Sequence, residues 1–183
     1  GNPGGRSKEK AFTDALKLVA DQKSRYGALA CLGNHEYLND IDVTLPLYEA
    51  SSVPLLRSSG RTLRIGRANL FVGGTDDFVQ MHGAIDELLA PSINRAMEDA
   101  DRDSDAPDFR LLLCHRPEGF GPATKAGFDL TLSGHTHGGQ LGMFGKSLLE
   151  KIKPGIGWWG SYSKARPSHV RSQAGRKSRL YTT

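Results

Sequence analysis

The chain alternates short unbroken apolar runs with longer stretches in which apolar residues recur every three or four positions. Runs of the first kind, bounded by glycine, proline or charge, have the length of buried strands; they lie at residues 28–32 and 110–114, and residues 55–58, 69–74 and 128–132 are strand-like with polar positions among the apolar ones. Stretches of the second kind predict amphipathic helices. Phe12, Ala15, Leu16 and Val19 follow Ser7, a candidate N-cap; residues 41–51 make a second helix. Ile85, Leu88, Leu89, Ile93 and Met97 give an apolar face to a third, at about 79–100. Residues 61–65 and 68–72, joined through Gly66-Arg67, predict a β-hairpin. Arg179-Leu180-Tyr181-Thr182-Thr183 reads as the start of one more strand. Helices and strands alternate around one antiparallel pair, which is an α/β pattern.

Charge changes the picture only at one end. The net charge is +4, yet residues 151–183 hold eight Lys or Arg and no acid, so the first 150 residues carry −4. From about residue 161 the chain reads as a basic tail whose composition allows disorder. Beside Trp158-Trp159 and Tyr162 it could touch anionic lipid headgroups, although a solvated loop is the preferred reading. No motif for specific nucleic-acid binding accompanies the charge. No apolar run approaches the roughly 20 residues that span a bilayer, and no targeting segment is visible. The compartment stays open, with a cytoplasmic or membrane-associated place expected. The acidic stretch at residues 98–105 reads as a solvated linker, and Cys31 and Cys114 fall in core runs and read as buried thiols.

Candidate chemistry sits at the ends of the apolar runs. Of six histidines, four (His35, His115, His135 and His137) follow such a run. Residues 28–32 lead into Gly33-Asn34-His35-Glu36, residues 110–114 into His115, and residues 128–132 into Gly134-His135-Thr136-His137-Gly138-Gly139-Gln140. Ligands of α/β sheets bind beyond the carboxyl ends of parallel strands. An Asn oxygen and imidazole nitrogens are suitable donors to a divalent cation. Two histidines spaced by two converge only on irregular backbone, which the three neighbouring glycines permit.

In this order, Gly33-Asn34-His35-Glu36, then His115, then Gly134-His135-Thr136-His137 resemble the last three of five motifs of the calcineurin-like metallophosphoesterases. Gly138-Gly139-Gln140-Leu141 further resembles the branch with membrane-associated phosphoesterases and UDP-2,3-diacylglucosamine hydrolase-like proteins. The resemblance covers about residues 7–160. It implies a four-layer αββα sandwich and hydrolysis of a phosphodiester or phosphomonoester by hydroxide generated at a dinuclear centre of Mn, Fe or Zn. Position by position, Asn34, His115 and His135 would bind one metal and His137 the other, while His35 would not be a ligand but would donate to the phosphoryl oxygens or the leaving alkoxide.

The family's first two motifs, Asp-x-His and Gly-Asp, have no counterpart upstream of Gly33. The chain is therefore expected to be a partial domain, lacking the first strands and the bridging aspartate, and impaired as a catalyst by itself. The alternative is a noncatalytic metal-binding or interaction domain that lost the bridge. A third, weaker reading is a single-zinc hydrolase built on Asn34, His115 and His135. Asp76, Asp77 or Glu36 could be proposed as replacement ligands. Asp76 and Asp77 are instead expected to cap the next helix or line the substrate cleft, and Glu36 to orient a neighbour.

Overall fold

The computed structural model describes residues 3–78, 83–102, 106–136, 142–143, 146–147, 170–171 and 177–182. In chain order the elements are α1 (Pro3–Ala20), β1 (Ala30–Cys31), α2 (Asn34–Leu38), α3 (Ile41–Glu49), β2 (Leu55–Leu56), β3 (Ser59–Ile65), β4 (Ala68–Gly74) and α4 (Ile85–Arg102). There follow β5 (Phe109–Leu113), a 3₁₀ turn at Pro117–Gly119, α5 (Phe120–Ala126), β6 (Leu130–Ser133), β7 (Gly142–Met143), β8 (Lys146–Ser147), β9 (Val170–Arg171) and β10 (Lys177–Thr182).

Six strands form one sheet in the order β3-β4-β5-β6-β10-β9. Its middle, β4, β5, β6 and β10, is parallel, and β3 and β9 close the two edges antiparallel. The β3–β4 hairpin pairs Ile65 with Ala68 across Gly66, whose φ of +63° suits the tight turn. Helices α4 and α5 cover one face of the sheet. Their apolar stripe, Ile85, Leu89, Ile93, Met97, Ala100 and Ala123, packs on Phe71, Leu112, Cys114 and Phe128. Phe71, Leu112 and Phe128 are almost wholly excluded from water, each contributing on the order of 1.5–3 kcal/mol of transfer free energy.

On the other side lies a smaller layer. β1 and β2 form a two-stranded parallel pair, and Leu16 of α1, Leu32 and Tyr48 of α3 bury a second core around it with Phe12, Ala30 and Leu45 at its margin. The pair reaches the large sheet where β2 meets the end of β4. A methyl group on Gly74 would lie 2.4 Å from the Leu56 Cβ and 2.8 Å from its carbonyl oxygen. Only a glycine lets the two backbones come this close. The layers thus stack as helices α1 and α3, the short pair, the six-stranded sheet, and helices α4 and α5.

Several local expectations shift. Ser7 lies inside α1, which already starts at Pro3, so it does not cap it; proline is tolerated in a first helical turn, where its missing N–H has no partner to lose. Val19 is exposed while Leu16 is buried, narrowing the apolar face of α1. Of residues 28–32 only Ala30 and Cys31 pair as a strand. Residues 79–82, at the expected start of the third helix, lie outside the described residues; α4 itself begins at Ile85. The end of the basic segment forms β10, parallel to β6 and in register from Arg179 opposite Leu130 to Thr182 opposite Ser133. Trp158, Trp159 and Tyr162 lie outside the described residues. No helix among the described residues is long and apolar enough to cross a membrane.

Candidate metal centre

Backbone hydrogen bonds stitch the ends of the parallel strands together. Thr75 N–H donates to the Leu113 carbonyl, Cys114 N–H to Leu132, and Gly134 N–H to His115. The ladder therefore continues past the strands as far as both histidines, and fixes His115 and His135 relative to each other. Gly134-His135-Thr136 forms a turn, with Thr136 N–H donating to the Gly134 carbonyl. His135 has a φ of +67°, a left-handed conformation that costs a non-glycine residue about 1–3 kcal/mol and persists where surroundings enforce it.

Asn34 comes from the smaller layer. It is the first residue of α2, directly after Gly33. The Gly33 N–H donates to Glu36 Oε2 at 2.8 Å, so Glu36 orients its neighbour by tying the helix entrance. A Cβ on Gly33 would stand 2.9–3.0 Å from three atoms of the His115 imidazole. The backbone conformation at Gly33 is ordinary and extended, so glycine is needed there for room and not for its φ.

The outcome is a triangle of donor atoms. His115 Nε2 lies 2.9 Å from Asn34 Oδ1, His135 Nδ1 lies 3.2 Å from the same oxygen, and the two nitrogens are 3.2 Å apart. The imidazole rings meet edge to face. Protons alone cannot turn all three sides into hydrogen bonds. The Asn oxygen only accepts, and a nitrogen that carries a proton cannot also accept. One cation facing all three lone pairs satisfies them together. Donors bound to a common cation at about 2.1 Å stand about 3.0 Å apart at right angles and about 3.4 Å apart at the tetrahedral angle. The two 3.2 Å separations fall in that range and the 2.9 Å one lies just below it, so these three residues fit a divalent cation.

Of the residues singled out from sequence, Asn34, His115 and His135 are brought together. His137 lies outside the described residues. His35 is exposed on α2, and it is not part of the triangle. Among the described residues no Asp, Glu or Cys joins the two histidines to form a ligand group of three.

Asp76 and Asp77 neither cap α4, which starts eight residues later, nor enter the triangle. Asp77 is buried against Arg116, the residue after His115. Its Oδ1 accepts from Arg116 Nε at 2.7 Å and from the Phe78 N–H at 2.6 Å; the two side chains are 1% and 3% exposed. Burial pushes the Asp77 carboxyl above the ordinary carboxylate range, against the opposing pull of Arg116 and of the nearby His135. Asp76 accepts from the Tyr37 hydroxyl at 2.5 Å and from Arg57 through both Nε and Nη2, at 3.0 and 2.8 Å. Burial, then this bond to Asp76, pushes the Tyr37 phenol up to about 12. Arg57, Arg116 and Tyr37 were not picked out from sequence as parts of the site. The one legible signal was Arg116 itself, a cation two residues past an apolar run that has to find an anion if it is buried.

Comparison with known proteins adds the following. No family model matches the chain. It is 34% identical over 146 residues to an uncharacterized metallophosphoesterase of Helicobacter pylori, covering 79% of this chain and 35% of that protein. A Campylobacter jejuni protein with the same description is 31% identical over 149 residues, covering 80% and 36% respectively. The chain therefore spans about a third of the length of these curated relatives. Among solved structures, a Staphylococcus aureus protein with a provisional 5′-nucleotidase name aligns over 94% of this chain and 34% of its own, with a TM-score of 0.52 and 12% identity. That likeness concerns the fold alone.

Proposed function

The chain belongs to the metallophosphoesterase family, and from that premise we propose that its strand-end triangle holds a divalent cation for hydrolysis of a phosphate ester. The observation that carries the proposal is the mutual approach of Asn34 Oδ1, His115 Nε2 and His135 Nδ1 to within 2.9–3.2 Å. When bound, the cation supplies Lewis acidity toward a phosphoryl oxygen and an acidified water. The chain's part is to hold it. His115 and His135 do so from the rigid ends of β5 and β6, and Asn34 from the start of α2. His35, exposed one residue further along that helix, is the group to hydrogen-bond the phosphoryl oxygens or protonate the departing alkoxide. His137 follows the triangle in sequence and is the candidate ligand to a second cation. Mn, Fe and Zn all suit this donor set.

A second reading, a noncatalytic metal-binding domain, draws on one observation: among the described residues no carboxylate joins His115 and His135. One experiment separates the two. The 183-residue chain, His35→Ala and His135→Ala are compared for Mn²⁺ binding and for Mn²⁺-dependent hydrolysis of bis(p-nitrophenyl) phosphate. The enzyme reading expects His135→Ala to lose both. His35→Ala should keep the metal and lose about 10²–10⁴-fold in rate, the usual share of a general acid. Metal binding that depends on His135, with no turnover by the folded chain, overturns catalysis by these 183 residues alone and fits the second reading for them, as it fits the impaired partial domain expected from the missing Asp-x-His and Gly-Asp motifs.

A further inference from the structure

We propose that Asp76 and Asp77 are positioning residues, two consecutive struts that hold the opposite sides of the metal triangle in register. The inference rests on the reading of Asn34, His115 and His135 as a metal site. The pair emerges from the end of β4, the strand beside β5, and the two carboxylates run to different parts of the molecule.

Asp76 serves the Asn34 side. Its Oδ1 accepts from the Tyr37 hydroxyl and from the Asp77 N–H, at 2.5 and 2.9 Å, and its Oδ2 accepts from both Arg57 Nε and Arg57 Nη2. A carboxylate offers about four lone-pair positions, so all are taken by protein donors. Tyr37 stands one turn after Asn34 on the same five-residue helix; fixing its hydroxyl fixes the orientation of α2. The strut is itself anchored, since the Asp76 N–H donates to Ser92 Oγ of α4 at 2.9 Å, and Ser92 also meets Ser58 Oγ at 2.8 Å.

Asp77 serves the histidine side. It grips Arg116 at Nε, and the same guanidinium donates through Nη2 to the Phe78 carbonyl at 2.8 Å and lies over the Phe78 ring. Arg116 is covalently next to His115, whose carbonyl takes the Gly134 N–H just ahead of His135. One dipeptide thereby reaches all three donors, with a tyrosine relaying to Asn34 and an arginine to the two histidines. Groups behind metal ligands that fix their orientation typically govern affinity by about 10–100-fold.

The test is Co²⁺ titration of the 183-residue chain, followed by calorimetry and visible absorption, beside thermal melts of the metal-free protein. Tyr37→Phe removes only the hydroxyl that links α2 to Asp76. It is expected to weaken Co²⁺ binding about tenfold while leaving the metal-free melting temperature unchanged, and Asp76→Asn should weaken it similarly. The double variant should be no worse than the stronger single one, because both cut the same strut. For the other strut, Arg116→Lys keeps the charge and loses the fork, and a drop of about tenfold is expected well below its melting temperature. Wild-type affinity in Tyr37→Phe and in Arg116→Lys overturns the proposal. If the unaltered chain shows no Co²⁺ signal, or its signal survives His135→Ala, the metal-site reading itself falls. That result is distinct because it needs neither strut variant.

Discussion

His115 and His135 stand at the ends of β5 and β6, in the middle of a six-stranded sheet whose helix-covered face buries Phe71, Leu112 and Phe128. Asn34, by contrast, opens a five-residue helix behind a two-residue strand, in a layer built on the smaller core cluster of Leu16, Leu32 and Tyr48. The two histidines inherit their placement from sheet hydrogen bonds and a large core. The asparagine depends on polar ties: Glu36 to the Gly33 N–H, and Tyr37 through Asp76 to Arg57 and α4. A centre assembled from unequal halves is only as well ordered as its weaker half, and the polar struts lie where the apolar core is thin.

The strongest way to break this comparison is to damage each core in turn. Phe128→Ala in the large sheet is expected to cost about 3–5 kcal/mol, and Leu32→Ala in the small layer about 2–5 kcal/mol. Their consequences should differ. Phe128→Ala lowers the stability of the whole chain, whereas Leu32→Ala loosens the small layer ahead of the sheet. Hydrogen exchange gives the direct reading: the Ala30 N–H, bonded to the Pro54 carbonyl at 3.0 Å, should exchange through local opening in Leu32→Ala while β5 and β6 amides keep the protection of global unfolding. Equal loss of protection in both layers would mean a single cooperative unit and would end the distinction.

How far the molecule was legible follows the same division. Long regular elements were readable because their pattern is their cause. The apolar stripe of α4, the β3–β4 hairpin around Gly66 and the terminal strand all emerged where periodicity and turn chemistry put them. The short elements were not. Residues 28–32 look like a full strand, but only two residues find a partner, because pairing depends on what lies beside them and not on the run itself. In the centre, Asn34, His115 and His135 were legible as residue types at strand ends. The capping role read for Asp76 and Asp77 is not what the fold gives them, since an acid after a strand looks the same whether it caps a helix or meets an arginine 39 positions away. Tyr37 and Arg57 left no local signal, because their roles exist only once α2, β2 and β4 are assembled.

A smaller perturbation sharpens the seam between the halves. Gly33→Ala introduces no backbone strain, since φ is −117° and ψ −179°. Its new methyl would stand 2.9–3.0 Å from the His115 ring. Overpacking of this kind costs about 1–3 kcal/mol, and here relief comes from turning the imidazole that belongs to the triangle. The expectation is a modest fall in melting temperature with a fall of about 10–100-fold in Co²⁺ affinity. A variant that melts lower yet binds as tightly as the unaltered chain would show that the ring moves along a direction harmless to the cluster.

The smallest effect uses the two thiols as reporters, one on each side. Cys114 is fully buried at the end of β5, its S–H donating to the Arg116 carbonyl at 3.2 Å, and Cys31 is half-buried at the end of β1. Burial pushes both thiols up to about 12, with their mutual proximity adding to the rise at Cys31. Near neutral pH burial therefore keeps both as thiols in the folded chain, and the thiolate is the reactive form. Iodoacetamide should therefore label neither quickly in the folded chain; labelling proceeds through opened forms, so its rate should rise about tenfold per unit of pH and level off near the ordinary value of an exposed thiol, about 8.5. The informative quantity is the order. Cys31, in the layer with the smaller core, should label before Cys114 because local opening reaches it without unfolding the sheet. Identical native-state rates, read by mass spectrometry, would tie both thiols to one global opening and remove the asymmetry between the Asn34 and histidine sides.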